Sequence, residues 1–174
     1  MPDHSYTSRR ELEEYRFSPA VALGVPLLFI LLQAYVPKIF HRFLILDLPL
    51  LAVIFFAVAR RNPIVGALTG AAIGLLQDAL TGQPIGINGM AKSVIGYIAS
   101  SIGVQVDVEN PITRVLMVFG FSILQSAMLF AIDRVLLGNG EVRLLWVHEV
   151  IRAALNTAVA IPLLLFLDRF KLRN

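Results

Sequence analysis

The chain has 174 residues, 57% of them hydrophobic and 16% charged, and a formal net charge of +3. Soluble domains carry about 25% charged residues, and a chain this apolar has too little polar surface to cover a water-soluble fold. Disorder is excluded because it needs low hydrophobicity and high charge, and the absence of cysteine removes disulfides, thiolate metal sites and cysteine nucleophiles. The charges also crowd the ends, with seven in residues 1–17 and four in 168–174. This composition predicts an all-α integral membrane protein. A cytoplasmic tail is expected over 1–17, a transmembrane domain over 18–168 and a short basic cytoplasmic tail over 169–174. The positive surplus then reads as membrane topology and not as a nucleic-acid surface. No Walker A loop, dinucleotide glycine fingerprint or HExxH motif is present, so no cofactor or metal is expected.

In chain order, the first 17 residues mix both charges, and no A-x-A site ends the apolar run that follows, so a cleavable signal is not expected. Within this tail, Ser8-Arg9-Arg10-Glu11 fits a capping box and allows a short surface helix. A membrane-crossing helix needs about 20 apolar residues. Six stretches meet or approach this: Ser18–Val36, Phe43–Ala59, Pro63–Leu80, Gly86–Val104, Ile112–Leu137 and His148–Leu167. Pro26 and Pro162 fall inside spans, where neighbouring helices can satisfy the freed carbonyls. The third and fourth stretches are rich in glycine and serine and are expected inside the bundle, away from lipid. Nine basic residues (Arg9, Arg10, Arg16, Arg60, Arg61, Arg114, Arg169, Lys171, Arg173) fall on one side and four (Lys38, Arg42, Arg134, Arg143) on the other. The positive-inside rule therefore places both termini in the cytoplasm, and Trp146 becomes an outer interfacial anchor.

Small residues mark the helix contacts. Gly66, Gly70 and Gly74 recur every four residues, and Gly89, Ser93, Gly96, Ser100 and Gly103 form a second stripe. Such faces let helix backbones approach closely in a solvent that gives helices no hydrophobic drive to associate. Polar residues inside spans cost about 2.5–3.5 kcal/mol when charged and unpaired, so each needs company. The candidates are Gln77, Asp78, Asn88, Lys92, Gln125, Asp133, Arg134, Glu149, Arg152 and Asn156, all toward the outer half. Asp78 and Lys92 flank a short connection and are expected to pair across it. Glu149, Arg152 and Asn156 share one helical face, as do Ser122, Gln125, Ser126 and Asp133. An outward-facing polar cluster or partner groove follows from these faces.

Between the third and fourth spans the chain reads Gly74-Leu75-Leu76-Gln77-Asp78-Ala79-Leu80-Thr81-Gly82-Gln83-Pro84-Ile85-Gly86-Ile87-Asn88-Gly89. Gly82 and Pro84 force a tight turn, and Gly86 and Gly89 allow close re-entry. The segment resembles the MreD family of rod shape-determining proteins, whose members show Gly-Leu, then Asp, then Leu-x-Gly-x-x-x-Gly across such a turn. The positions that carry the likeness are Gly74, Leu75, Asp78, Leu80, Gly82 and Gly86. The resemblance implies a six-helix fold similar to the substrate-binding subunits of energy-coupling-factor transporters. It also implies a non-enzymatic role in bacterial cell elongation, binding MreC, a bitopic protein with a periplasmic domain. Links to RodA, a class B penicillin-binding transpeptidase and the MreB filament follow through MreC.

Two rival readings compete with this one. A small-molecule, vitamin-like binding subunit of a transporter would use the polar cluster as its pocket, though only Tyr97 and Trp146 supply aromatic walls nearby. A membrane enzyme acting on a lipid-linked substrate could draw charge from Arg134, Arg143 and Arg152, but no nucleophile or phosphate cradle accompanies them.

Overall fold

In a computed structural model the described residues are 17–106, 110–138 and 145–170, and all their regular structure is helical. The capping-box segment, Arg143 and the basic residues Arg9, Arg10, Arg16, Lys171 and Arg173 lie outside them. Six long helices follow one another: α1 Pro19–Ile39, α2 Leu48–Arg60, α3 Pro63–Thr81, α4 Ile87–Gln105, α5 Pro111–Ala131 and α6 Trp146–Leu167. A 3₁₀ turn, His41–Ile45, precedes α2, and a π turn, Ile132–Leu136, extends α5. Three helix starts follow one recipe. Ser18, Asn62 and Asn110 turn their side-chain oxygens onto the N–H groups of Val21 (3.4 Å), Ile64 (3.1 Å) and Ile112 (2.9 Å), and each is followed by proline. The cap satisfies an orphan donor, and proline at the first helical position gives up an N–H that has no helical acceptor.

Five segments are long and apolar enough to cross a membrane: α1, Phe43–Arg60, α3, Pro111–Leu136 and α6. The remaining helix, α4, has the same 19 residues as α3 but carries more polar ones. The expected second span therefore begins as a 3₁₀ turn and becomes α-helical only at Leu48.

Helix α2, not α3, lies innermost. Every residue from Leu48 to Ala57 is buried, whereas α3 leaves Ile64, Leu68, Leu75, Leu76 and Leu80 exposed along one side. This corrects the expectation that both glycine-rich helices would be shielded from lipid. Lipid tails are as apolar as leucine, so hydropathy does not sort helices into inner and outer ones; close packing and hydrogen bonding do. Around α2, α1 packs on α2 and α3, α4 bridges α2 and α5, and α6 pairs with α5 and reaches α2.

The α3–α4 hairpin is the tightest pairing in the bundle. A Cβ on Gly66 would stand 2.4 Å from the Gly96 carbonyl oxygen, one on Gly70 2.0 Å from that of Lys92, and one on Gly74 2.4 Å from that of Asn88. Four residues up on α3 thus meet four residues down on α4, an antiparallel seam with backbones in contact. Ser93 adds its backbone nitrogen 3.1 Å from the Gly70 position, while Gly89 abuts the Leu75 side chain. Further along α4, Gly103 turns to α2, where a Cβ would lie 2.9 Å from the Val58 carbonyl oxygen. The hairpin turn closes through Gly82 and Gly86 at φ 69° and 107°, a region that glycine enters freely.

Gly70→Ala forces a methyl into a backbone carbonyl and is expected to destabilise the protein by about 1–3 kcal/mol. Gly24→Ala, on α1 with open space at its Cβ, is expected to stay within about 0.5 kcal/mol of wild type. Thermal unfolding in detergent, followed by loss of the monodisperse species, distinguishes the two.

Candidate functional site

At 13 residues, α2 rises only about 20 Å, against a hydrocarbon core of about 30 Å. If the candidate span Phe43–Arg60 crosses the bilayer with Arg60 at one face, the first turn of α2 lies at membrane depth. There the break between the 3₁₀ turn and α2 frees backbone groups that have no water to bind. Each is met by a side chain from another helix. Gln33 on α1 donates its Nε2 to the Leu46 carbonyl at 2.9 Å and accepts from the Leu48 N–H at 3.3 Å. Asn156 on α6 accepts the Asp47 N–H at 2.9 Å, and its own amide donates to Ser122 on α5 at 3.3 Å.

Asp47 is the hub. One carboxylate oxygen caps α2 by accepting the Leu50 N–H at 3.0 Å. The other accepts the Lys92 ammonium of α4 at 2.9 Å and the Gln125 amide of α5. Lys92 is wholly enclosed and also donates to Asn88 Oδ1 at 3.1 Å. Asn88 in turn donates its Nδ2 to Asp78 at 2.8 Å. Asp78, also fully buried, reaches across the hairpin turn from α3 to accept the N–H groups of Gly86 (2.9 Å), Asn88 (3.1 Å) and Gly89 (3.4 Å). Because Gly86 has no side chain with which to cap α4, Asp78 does so from outside, a favourable place for a carboxylate. One connected set of polar groups thus ties all six helices together.

Asp78 and Lys92 do not form the pair expected across the hairpin. Asn88 stands between them, and the ammonium goes to Asp47. The physical reason is that Asp78 is already surrounded by the donors of the α4 N-terminus, whereas Asp47 has an oxygen left for a cation. Gln77 is buried beside Asp78, and its Oε1 has no hydrogen-bond partner among the described residues. Asp133 lies half-buried on the π turn and joins no hydrogen bond of the hub among the described residues, while Arg134 stacks over Phe130 at 5.8 Å. Glu149 belongs to a second, shallower group. It accepts the Ser126 hydroxyl and faces His148 Nδ1 at 3.5 Å and Arg152 Nη1 at 3.7 Å.

Asp47 and Gln33 are absent from the set of residues expected from the sequence. Their signal was present: Asp47 is an acid within the apolar stretch 43–59, two residues before Pro49, and Gln33 is an amide inside the first span.

Truncating one member of a buried pair strands the other charge, at a cost of about 3–5 kcal/mol. Asp47→Ala and Lys92→Met are each expected to lower thermal stability in detergent by this order. The double variant is expected to lose clearly less than the two losses added together. Equal and additive losses in the double-mutant cycle would show that the pair is not coupled.

A family model described as MreD, rod shape-determining protein MreD, covers residues 16–172. No curated protein and no solved structure matches the chain. The matched region takes in all six helices and the whole hub, and the chain therefore belongs to the MreD family of rod shape-determining membrane proteins.

Proposed function

We propose that the protein is a non-enzymatic component of the bacterial cell-elongation machinery. It works in the cytoplasmic membrane, where it binds an MreC-like bitopic protein and helps organise peptidoglycan synthesis and cell shape. Through that partner it communicates with RodA, a class B penicillin-binding transpeptidase and the MreB filament. All six helices cross the bilayer, as in the substrate-binding subunits of energy-coupling-factor transporters, because α4 runs antiparallel to α3 along its glycine seam. The membrane domain occupies 18–168 between two cytoplasmic tails. Arg60, Arg61, Arg114 and Arg169 at one end of the bundle, against Lys38, Arg42 and Arg134 at the other, support that orientation.

The observation that carries the reading is that the hub's charged groups are paired with one another, with Gln125 Oε1 left without a hydrogen-bond partner among the described residues. Lys92, Asp78, Asn156 and Gln125 are buried and hydrogen-bonded within the chain. This arrangement suits a rigid membrane frame better than an open substrate pocket. The frame fixes the outer ends of α5 and α6, where Glu149, Arg152 and His148 are partly exposed. There the membrane or juxtamembrane segment of the partner finds polar groups to pair with, which removes their cost in lipid.

Gentle extraction of tagged protein is expected to recover a protein with one membrane helix and a periplasmic domain. Glu149→Gln combined with Arg152→Gln is expected to lower that recovery several-fold at unchanged membrane level. Asp78→Ala is expected to lower recovery more than it lowers insertion. Unchanged recovery in these variants would contradict the partner role, and a stoichiometric small molecule in place of the bitopic protein would favour the transporter-subunit reading.

A further inference from the structure

At the end of the bundle opposite the hub, α5 and α6 separate. Between them lies a cleft of about 110 Å³, walled by Val115, Val118, Thr157, Ile161 and Leu165, with Arg114 among its lining residues. Thr157 spends its hydroxyl on the Ala153 carbonyl at 2.7 Å, so the walls present hydrocarbon. Val118 forms a buried floor, while Ile161 and Leu165 are exposed at the rim. From Leu165 to Thr157 the slot runs about 12 Å along α6. Pro162 falls in the same stretch, where its missing N–H interrupts the helical ladder.

Polarity is confined to one end. Arg114 lies three residues after the start of α5, and Asp168 directly follows α6; the two form an ion pair. In a bilayer this places the pair near headgroup level and the slot beneath it among the acyl chains. Arg60, Arg61 and Arg169 lie at the same end, so among the described residues four arginines there face one carboxylate, Asp168.

We propose that this cleft seats one acyl chain of an anionic phospholipid from the surrounding membrane, whose phosphate engages Arg114. The planar guanidinium matches phosphate oxygens as it matches a carboxylate, so the headgroup competes with Asp168 for Arg114. Among the described residues the surplus of arginine at this end favours a lipid that carries net negative charge over one whose phosphate is balanced by choline. Asp168 is thus a resident counter-ion that sets how tightly the lipid is held.

Native mass spectrometry of detergent-purified protein titrated with phosphatidylglycerol or phosphatidylcholine tests this. Wild type is expected to retain one phosphatidylglycerol at a several-fold lower lipid concentration than phosphatidylcholine. Arg114→Gln is expected to abolish that preference, and Asp168→Asn to enlarge it. Leu165→Trp, which fills the slot from its exposed rim, is expected to lower retention of both lipids. Equal retention of the two lipids by wild type would overturn the proposal. So would an undiminished preference in Arg114→Gln, or retention insensitive to both Asp168→Asn and Leu165→Trp.

Discussion

The constraint on which the rest depends is the interruption of α2 at Asp47. A chain that begins a helix inside lipid exposes donors and acceptors that the bilayer cannot satisfy, and a carboxylate at that point adds a charge. The bundle answers both with the same groups. Gln33 and Asn156 take up the loose backbone, and Lys92 and Gln125 take up the charge. Hydrogen bonds between membrane helices average well under about 1 kcal/mol each, so their value here is not additive strength. Each satisfied group fixes where a different helix must stand. An ion pair left half-made is far costlier than its net contribution when intact, so arrangements of the helices that part Asp47 from Lys92 are heavily penalised.

The glycine seam supplies what the hub cannot. With Gly66, Gly70 and Gly74 against Gly96, Lys92 and Asn88, the α3 and α4 backbones touch along several turns. That contact fixes Lys92 and Asn88 one turn apart along α4, with Asn88 beside Asp78 and Lys92 beside Asp47. The two features depend on each other. A seam displaced by one turn would move the ammonium about 5 Å along α4, out of reach of Asp47. The α5–α6 hairpin is attached differently. Its helices pack mainly on each other and meet the remaining four through the hydrogen bonds of Gln125 and Asn156 to Asp47. The division leaves a four-helix part joined at its polar hub to a hairpin whose Glu149, Arg152 and His148 remain partly exposed.

Much of this was legible in the sequence. The spacing of glycines on the third and fourth spans carries the register of their contact, and Ser18-Pro19, Asn62-Pro63 and Asn110-Pro111 mark helix starts because each pairs a cap with a proline. Two things were not legible. The ranking of helices by burial failed because hydropathy measures preference for lipid over water, while α2 is buried by neighbours that are themselves apolar. The partner of Lys92 was misread because Asp78 is nearer in sequence, and its demand for a cation looks the same until the donors of the α4 N-terminus are in place around it. Asp47 stands inside the apolar stretch 43–59, but the sequence does not show that the α-helix begins only at Leu48 and leaves Asp47 as its cap.

The absence of native cysteines makes a direct test of the hub simple. Spin labels on single cysteines at Leu68 of α3 and Ile151 of α6, both exposed, report the separation of the two parts in lipid bilayers. With the hub intact, a single narrow distance distribution is expected, and Asp47→Ala is expected to broaden it as Lys92 of α4 and Gln125 of α5 lose the carboxylate that joins the α5–α6 hairpin to the other helices. An equally narrow distribution at the same distance in Asp47→Ala would contradict the claim that this interrupted helix and its ion pair hold the bundle in register.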